Sequence, residues 1–373
     1  VLVDYPINGG QIGESQTICA GETPAPLTSM SSPTGGSGVY TYKWGYSYDG
    51  SGFSLIPGAT GPDYSPGPLT QTTYFCRFAY SEPCAAGGSN VVMITVNEIP
   101  AITSTTSRYI CSGSQLDYWP QTSVPWATVS WTATCPSGNV SGFSAFGYGS
   151  IHEVLTLNPG VTSPADVIYT MTPTGPGPTY CQGDPVDLVV TVFPIPEVTN
   201  TVTSQTICSG DNSSAITLNS NIAGTNFSWT VSAPNTISGY IASGTGNIPS
   251  WTLYSISLVP EDVVITVIPE TSSPIQCQGP AFTYTITVNP APTITNSPLY
   301  QAVCSNQPST EVILTSNVSG TTFNWTATAD PPNLTGWIPS GTSIIPSQTI
   351  INPNNVPGTV TFHINPSGTI GGC

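Results

Sequence analysis

The residues with chemistry to offer in this chain of 373 are ten cysteines, two histidines and 19 carboxylates, beside only three basic side chains, Lys43, Arg77 and Arg108. The cysteines form the ordered set. A first cysteine recurs in similar contexts: Thr17-Ile18-Cys19-Ala20-Gly21, Tyr109-Ile110-Cys111-Ser112-Gly113, Thr206-Ile207-Cys208-Ser209-Gly210 and Ala302-Val303-Cys304-Ser305-Asn306. A later cysteine recurs as Cys84, Cys181, Cys277 and Cys373, at spacings of 97, 96 and 96. Cysteines at such regular positions point to structural disulfides and an oxidising location outside the cytoplasm. Zinc, the rival reading, needs ligands in close C-x2–4-C groups, and the sequence has none.

Pairing inside each repeat is the expectation: Cys19–Cys84, Cys111–Cys181, Cys208–Cys277 and Cys304–Cys373. Loops of that length, about 70 residues each, favour a disulfide by roughly 4 kcal/mol in the chain-entropy model. Cys76 and Cys135 are left over. They bridge repeats 1 and 2, or Cys76 pairs locally with Cys84; spacing does not choose.

Other chemistry is thin. His152 and His363 lie in no catalytic setting and read as partly exposed strand or loop histidines. No G-x-S-x-G elbow, H-E-x-x-H zinc motif or P-loop occurs. Glu261-Asp262, or Asp184 and Asp187, could form a glycosidase pair. They fall at loops and strand edges, no repeat preserves them in register, and they read as solvated surface groups. Calcium between domains would suit acidic loops, but no D-x-D-x-D-G run marks such a site. The expectation is a non-enzyme with no cofactor and no metal site, with calcium between domains kept as the alternative.

What positions the cysteines is a strand phrase that comes back almost unchanged. Ile94-Thr95-Val96-Asn97 is followed by Pro100, Val190-Thr191-Val192-Phe193 by Pro194 and Pro196, and Ile286-Thr287-Val288-Asn289 by Pro290 and Pro292. A clipped copy, Val1-Leu2-Val3-Asp4, opens the chain. β-Branched residues running into proline read as the last strand of a domain and the hinge into the next. The phrase divides the chain into 1–98, 99–194, 195–290 and 291–373, each about the size of an immunoglobulin-like sandwich. Repeat 4 stops short of its own end strand, and the chain reads as a piece of a longer protein.

Between the two cysteines of each repeat lies a tryptophan strand, around Trp44, Trp131, Trp229 and Trp325, alternating apolar and polar. An immunoglobulin-like sandwich buries its core tryptophan against its disulfide at such a position. Trp119, Trp126, Trp251 and Trp337 do not recur in all repeats, so a ligand-facing aromatic would be sought among them. Repeat 1 is divergent, with Gly35-Gly36-Ser37-Gly38, a hairpin signal at Asp49-Gly50, and tyrosines at 40, 42, 46, 48 and 74. With 37 Gly, 38 Pro and no sustained helical periodicity, the class is all-β.

The net charge of −16 leaves no cationic surface for nucleic acid or anionic lipid. No apolar run approaches the length of a membrane-spanning helix. Asn139-Val140-Ser141, Asn226-Phe227-Ser228 and Asn324-Trp325-Thr326 match the N-glycosylation pattern, which arises easily by chance in a chain this rich in Asn, Ser and Thr.

Repeat 2 runs from Ile110-Cys111-Ser112-Gly113 through Val129-Ser130-Trp131-Thr132 and Tyr169-Thr170-Met171-Thr172-Pro173 to Tyr180-Cys181-Gln182-Gly183 and Val190-Thr191-Val192. This resembles the PKD-like, immunoglobulin-type repeats of very long cell-surface proteins of the Bacteroidetes, including the giant gliding-motility adhesins. Repeats 3 and 4 follow the pattern, and repeat 1 resembles a sister type from the same proteins. The resemblance implies export by the type IX secretion machinery and a place on, or release from, the cell surface. It implies as partners the neighbouring repeats of one long chain, surface polysaccharide or other cell-surface proteins. The function expected is a structural stalk, four stapled sandwiches with the last incomplete, projecting a binding tip. The alternatives are a carbohydrate-binding array, accessory modules of a secreted hydrolase, and a filament subunit assembled by strand donation into repeat 4.

Overall fold

The computed structural model describes residues 5–368 and 373; the clipped phrase at Val1–Asp4 lies outside them. Among the described residues every regular element is a strand. The chain forms two compact bodies, Val1–Phe193 and Pro194–Cys373, each containing two of the four repeats.

Repeat 2 shows how the sequence builds a sandwich. Its larger sheet orders the strands Phe146–Tyr148, Thr128–Thr134, Ala165–Thr174, Val186–Phe193 and Ser107–Cys111. Successive side chains of a strand point to opposite faces, so the alternation in Ala165–Thr174 buries Ala165, Val167, Tyr169, Met171 and Pro173 on one face. Thr128–Thr134 adds Val129, Trp131 and Ala133 to the same face. A three-stranded sheet of Ser114–Tyr118, Ile151–Leu157 and Val140–Ser141 supplies Leu116, Tyr118, Ile151 and Leu155 from the other side.

Repeat 3 repeats this plan, with Ser204–Cys208, Phe282–Asn289, Glu261–Glu270, Asn226–Ser232 and Ser243–Thr245 in one sheet. In repeat 4 the equivalent sheet has three described strands, Ser340–Thr342, Thr322–Asp330 and Thr359–Ser367. Repeat 1 carries the path Gln16–Cys19, Val92–Asn97, Thr73–Ser81, Thr41–Ser47, Ser54–Leu55, with Cys84–Gly88 folded back on Thr73–Ser81.

One pairing matters most for the cysteines. In repeats 1, 2 and 3 the strand ending in the first cysteine runs parallel to the end strand. Cys19 lies level with Asn97, Cys111 with Phe193 and Cys208 with Asn289. Each first cysteine therefore sits at the pole where its repeat ends.

Candidate functional site: the stapled joint between repeats

The later cysteine sits at the opposite pole. Cys181 follows the strand that ends at Thr174 and precedes Val186, where the end strand begins. An eight-residue strand at ~3.3 Å per residue separates the two poles by about 25 Å, whereas a disulfide needs Cα atoms about 4.4–6.8 Å apart. Pairing inside the repeat is thus out of reach, and the expected pairs are not formed. Cys19 is bonded to Cys181, and Cys208 to Cys373, each with Cα atoms 5.5 Å apart. The first cysteine of one repeat takes the later cysteine of the next.

Cys111 and Cys277 are also disulfide-bonded. Cys84 and Cys304 carry free thiols, and so do Cys76 and Cys135, which corrects the expected bridge between the latter two and the local Cys76–Cys84 alternative. Cys76 is buried on the central strand of repeat 1, its Sγ 3.8 Å from Ser89 Oγ, and cannot reach outward. Burial pushes its thiol up. Cys135 lies in a turn beside Ser137 Oγ, 3.5 Å away.

The Cys19–Cys181 joint has a defined local build. Asn97 Nδ2 donates to Thr179 Oγ1 at 2.8 Å, and that oxygen lies 3.4 Å from Cys181 Sγ. The loop carrying Cys181 is pinned by Gly175 N donating to Cys181 O and Gly183 N to Pro173 O, at 2.8 and 2.9 Å. Gly183 is where the incoming linker presses in: a Cβ there would stand 1.8 Å from Pro100 O. Gly279 repeats this against Pro196 O, also at 1.8 Å, and Gly87 does so against Ile7 O at 2.1 Å. Only a residue with no side chain lets the linker lie against the later-cysteine loop. The signal was in the sequence as Cys181-Gln182-Gly183 and Cys277-Gln278-Gly279, whose glycines read as turn residues.

The four recurrent tryptophans, Trp44, Trp131, Trp229 and Trp325, are all buried. The hydrophobic clusters that hold them include no disulfide-bonded cysteine among the described residues, unlike the immunoglobulin arrangement. Each packs instead on another aromatic ring, with centroids 5.5 Å apart for Trp44–Tyr64, 5.4 Å for Trp131–Tyr169, 5.7 Å for Trp229–Trp251 and 5.4 Å for Trp325–Phe362. Pairs of this geometry add about 0.5–1.5 kcal/mol beyond the area they bury. Trp251 is therefore core and faces no ligand, and Trp337 is half-buried with Nε1 donating to Leu334 O. Trp119 and Trp126 are exposed, Trp119 edge-on to the His152 ring.

His152 Nδ1 lies 2.7 Å from Asp117 Oδ1 on the outer face of repeat 2, and His363 is an exposed strand residue near Thr328. His152 thus faces a carboxylate and His363 an exposed threonine hydroxyl 3.4 Å away. The carboxylates are held by hydroxyls. Thr170 donates to Asp187, Thr287 to Asp262 and Thr236 to Glu261, while Asp184 is exposed. Asp262 does have a counterpart in register, contrary to expectation: Asp166 accepts from Thr191 as Asp262 accepts from Thr287, both at 2.7 Å. The pair is a cross-strand clasp on the outer face. Tyr169 donates to Glu153, and burial together with that bond pushes its phenol well up. Among the described residues no group of three or more His, Cys, Asp or Glu could hold a metal ion.

Repeat 1 keeps its interior differently. Arg77 is fully buried, with Nη1 donating to Ser29 Oγ (2.7 Å) and Pro62 O (2.9 Å), Nη2 to Gly9 O (2.9 Å) and Ser31 O (3.3 Å), and the Tyr42 ring 4.9 Å below its guanidinium. A strand residue of this charge gives no sequence-level sign that it points inward.

The fold is a tandem array of immunoglobulin-like sandwiches. The PKD-like domain model matches residues 108–196, 205–292 and 301–373, together more than half of the chain, which therefore belongs to the PKD-like domain family. Residues 8–98 match a domain of unknown function (DUF8696). No curated protein matches. Among solved structures, the chain is similar to the I-band fragment I67–I69 of titin, at 11% identity over 77% of this chain and 99% of that one, with a TM-score of 0.37. Mouse cadherin-23 EC22–24 gives 11% identity, 76% and 99% coverage and a TM-score of 0.31. Protocadherin gammaB7 EC3–6 gives 14%, 94% and 95%, and 0.27.

Proposed function

We propose that this chain is a length of stalk from a secreted bacterial surface adhesin or filament, non-enzymatic, serving adhesion or gliding by holding a binding tip away from the cell. The observation that carries this is the placement of the disulfides across joints. A bond inside a sandwich protects that sandwich; a bond from one repeat to the next resists bending and separation of an array. Disulfides put the protein in an oxidising, extracellular setting, and the likeness of its repeats to those of giant Bacteroidetes surface proteins supports type IX export and the cell surface. Under load the staples shortcut the chain. From Tyr5 the covalent path runs to Cys19, crosses to Cys181, runs on to Cys208 and crosses to Cys373. At about 3.3–3.6 Å per residue that path spans about 150 Å, against about 1,300 Å for the open chain. Bound calcium has no part in this account.

The test of the stalk reading is the mass of the native polypeptide under reducing, denaturing conditions. A chain of several hundred kilodaltons is expected, and a chain near the 38.7 kDa of this sequence contradicts it. A carbohydrate-binding role is favoured by one feature. Phe146 and Tyr148 stand exposed on the same face of an edge strand of repeat 2, a spacing suited to stacking on sugar rings. The equivalents are Ser243 and Thr245 in repeat 3 and Ser340 and Thr342 in repeat 4, so such a role is confined to repeat 2. Loss of polysaccharide retention in a Phe146→Ala/Tyr148→Ala variant tests it; unchanged retention rules it out.

A further inference from the structure

Cys304 belongs by build to the stapled first cysteines, although its thiol is free. Gln307 N donates to Cys304 O at 3.0 Å, as Glu22 N does to Cys19 O and Asp211 N to Cys208 O, also at 3.0 Å. Three residues ahead of the cysteine, the Gln301 side chain clasps the backbone of Thr310 through both its amide atoms. Gln16 clasps Ala25 and Gln205 clasps Ser214 in the same way. Two separate devices thus set Cys304 as they set Cys19 and Cys208, both of which are bonded to the later cysteine of the following repeat. Cys304 is exposed. At the other extreme, Cys84 occupies the pole of repeat 1 that faces backwards along the chain. Its Sγ is 3.6 Å from Tyr5 O, three residues before the glycine that takes the close approach of Ile7.

We propose that Cys84 and Cys304 are the open halves of two further staples. Cys304 bonds a later-type cysteine at the near pole of an adjoining repeat, and Cys84 bonds a first-type cysteine at the far pole of another. The ligand chemistry is the cysteine thiol of an immunoglobulin-like repeat presented pole to pole. Its source is either a neighbouring repeat of one polypeptide or a second copy of this chain. Each bond forms as two thiols lose two protons and two electrons to a protein or small-molecule disulfide, which is reduced to its dithiol. The inference deepens the stalk reading and rests on it for the existence of neighbours. A small native polypeptide would sink the stalk while leaving copy-to-copy staples standing.

Protein taken from its native source, with free thiols capped by iodoacetamide, is digested with pepsin at low pH without reduction, and linked peptides are sequenced by mass spectrometry. The expected result is the Cys304 peptide linked to a peptide carrying a later-type cysteine. If that peptide is the one containing Cys84, the neighbour is a second copy; if it lies outside this sequence, the neighbour is another repeat. Cys304 recovered as the capped thiol, joined to glutathione, or joined to Cys76 or Cys135 overturns the proposal.

Discussion

The interiors of the repeats and the joints between them are held by different forces. In the interior of repeat 2, Val167, Tyr169, Met171, Leu188 and Val190 are fully buried, and its later cysteine is bonded outside the sandwich. At its joint with repeat 1 the structure offers a hydrogen bond from Asn97 to Thr179, a linker seated on Gly183, and the Cys19–Cys181 bond. A sandwich of about 95 residues buries enough apolar surface to stand alone; a joint between two poles does not. The covalent bond has been placed across the joint, with Cys181 itself buried there. Relative motion is the default between domains of one chain, and a covalent bond across the joint restricts it.

The comparison breaks most visibly in the interior. Trp131→Ala empties a site ringed by Tyr169 and Met171 and is expected to cost about 3–5 kcal/mol in denaturant unfolding of repeat 2, with the staples intact. A loss under about 1 kcal/mol would mean the tryptophan is not core. Gly183→Ala drives a methyl into Pro100 O and is expected to cost about 1–3 kcal/mol. It should also slow formation of the Cys19–Cys181 bond on oxidative refolding, followed by non-reducing electrophoresis; an unchanged rate would separate the glycine from the joint.

Cys19→Ser/Cys181→Ser sharpens the contrast from the other side. Removing a disulfide native to a small secreted domain typically costs about 2–5 kcal/mol. Here each repeat is expected to lose less than ~1 kcal/mol, while cleavage of the linker around Pro100 by a broad-specificity protease rises several-fold. A large stability loss with no change in linker cleavage would return the bond to the interior. Thiol labelling perturbs stability least. Cys76, buried and with its thiolate disfavoured, should label only on unfolding at any pH up to about 8. Fast labelling of Cys76 would show that the interior of repeat 1 opens.

Much of the interior was legible because burial leaves a period. The alternation around Trp131 and from Ala165 to Thr174 is visible in the residue types, and the end-strand phrase recurs at one spacing. The joints were not legible in the same way. A spacing of 96 shows which cysteines are equivalent and says nothing about which partners meet. Cys19 and Cys181 are separated by 162 in sequence, and Cys84 lies less than half as far from Cys19. Chain entropy distinguishes those two loops only weakly. The deciding fact is the parallel pairing of Gln16–Cys19 with Val92–Asn97, which sends the two cysteines of a repeat to opposite poles. The glycine two residues beyond Cys181 and Cys277 was the available sign, since it marks a close approach. Arg77 left no sign: its carbonyl acceptors come from segments scattered between Gly9 and Pro62.

The claim that the staples join successive repeats is tested most directly by pulling a single molecule from its two ends with the disulfides intact and again after reduction. The account predicts that the oxidised chain reaches no more than about 150 Å between Tyr5 and Cys373, set by the path through Cys19–Cys181 and Cys208–Cys373. After reduction the same molecule should lengthen in successive steps of about 300 Å, one per unfolding repeat. Repeat-sized lengthening in the oxidised chain would contradict it.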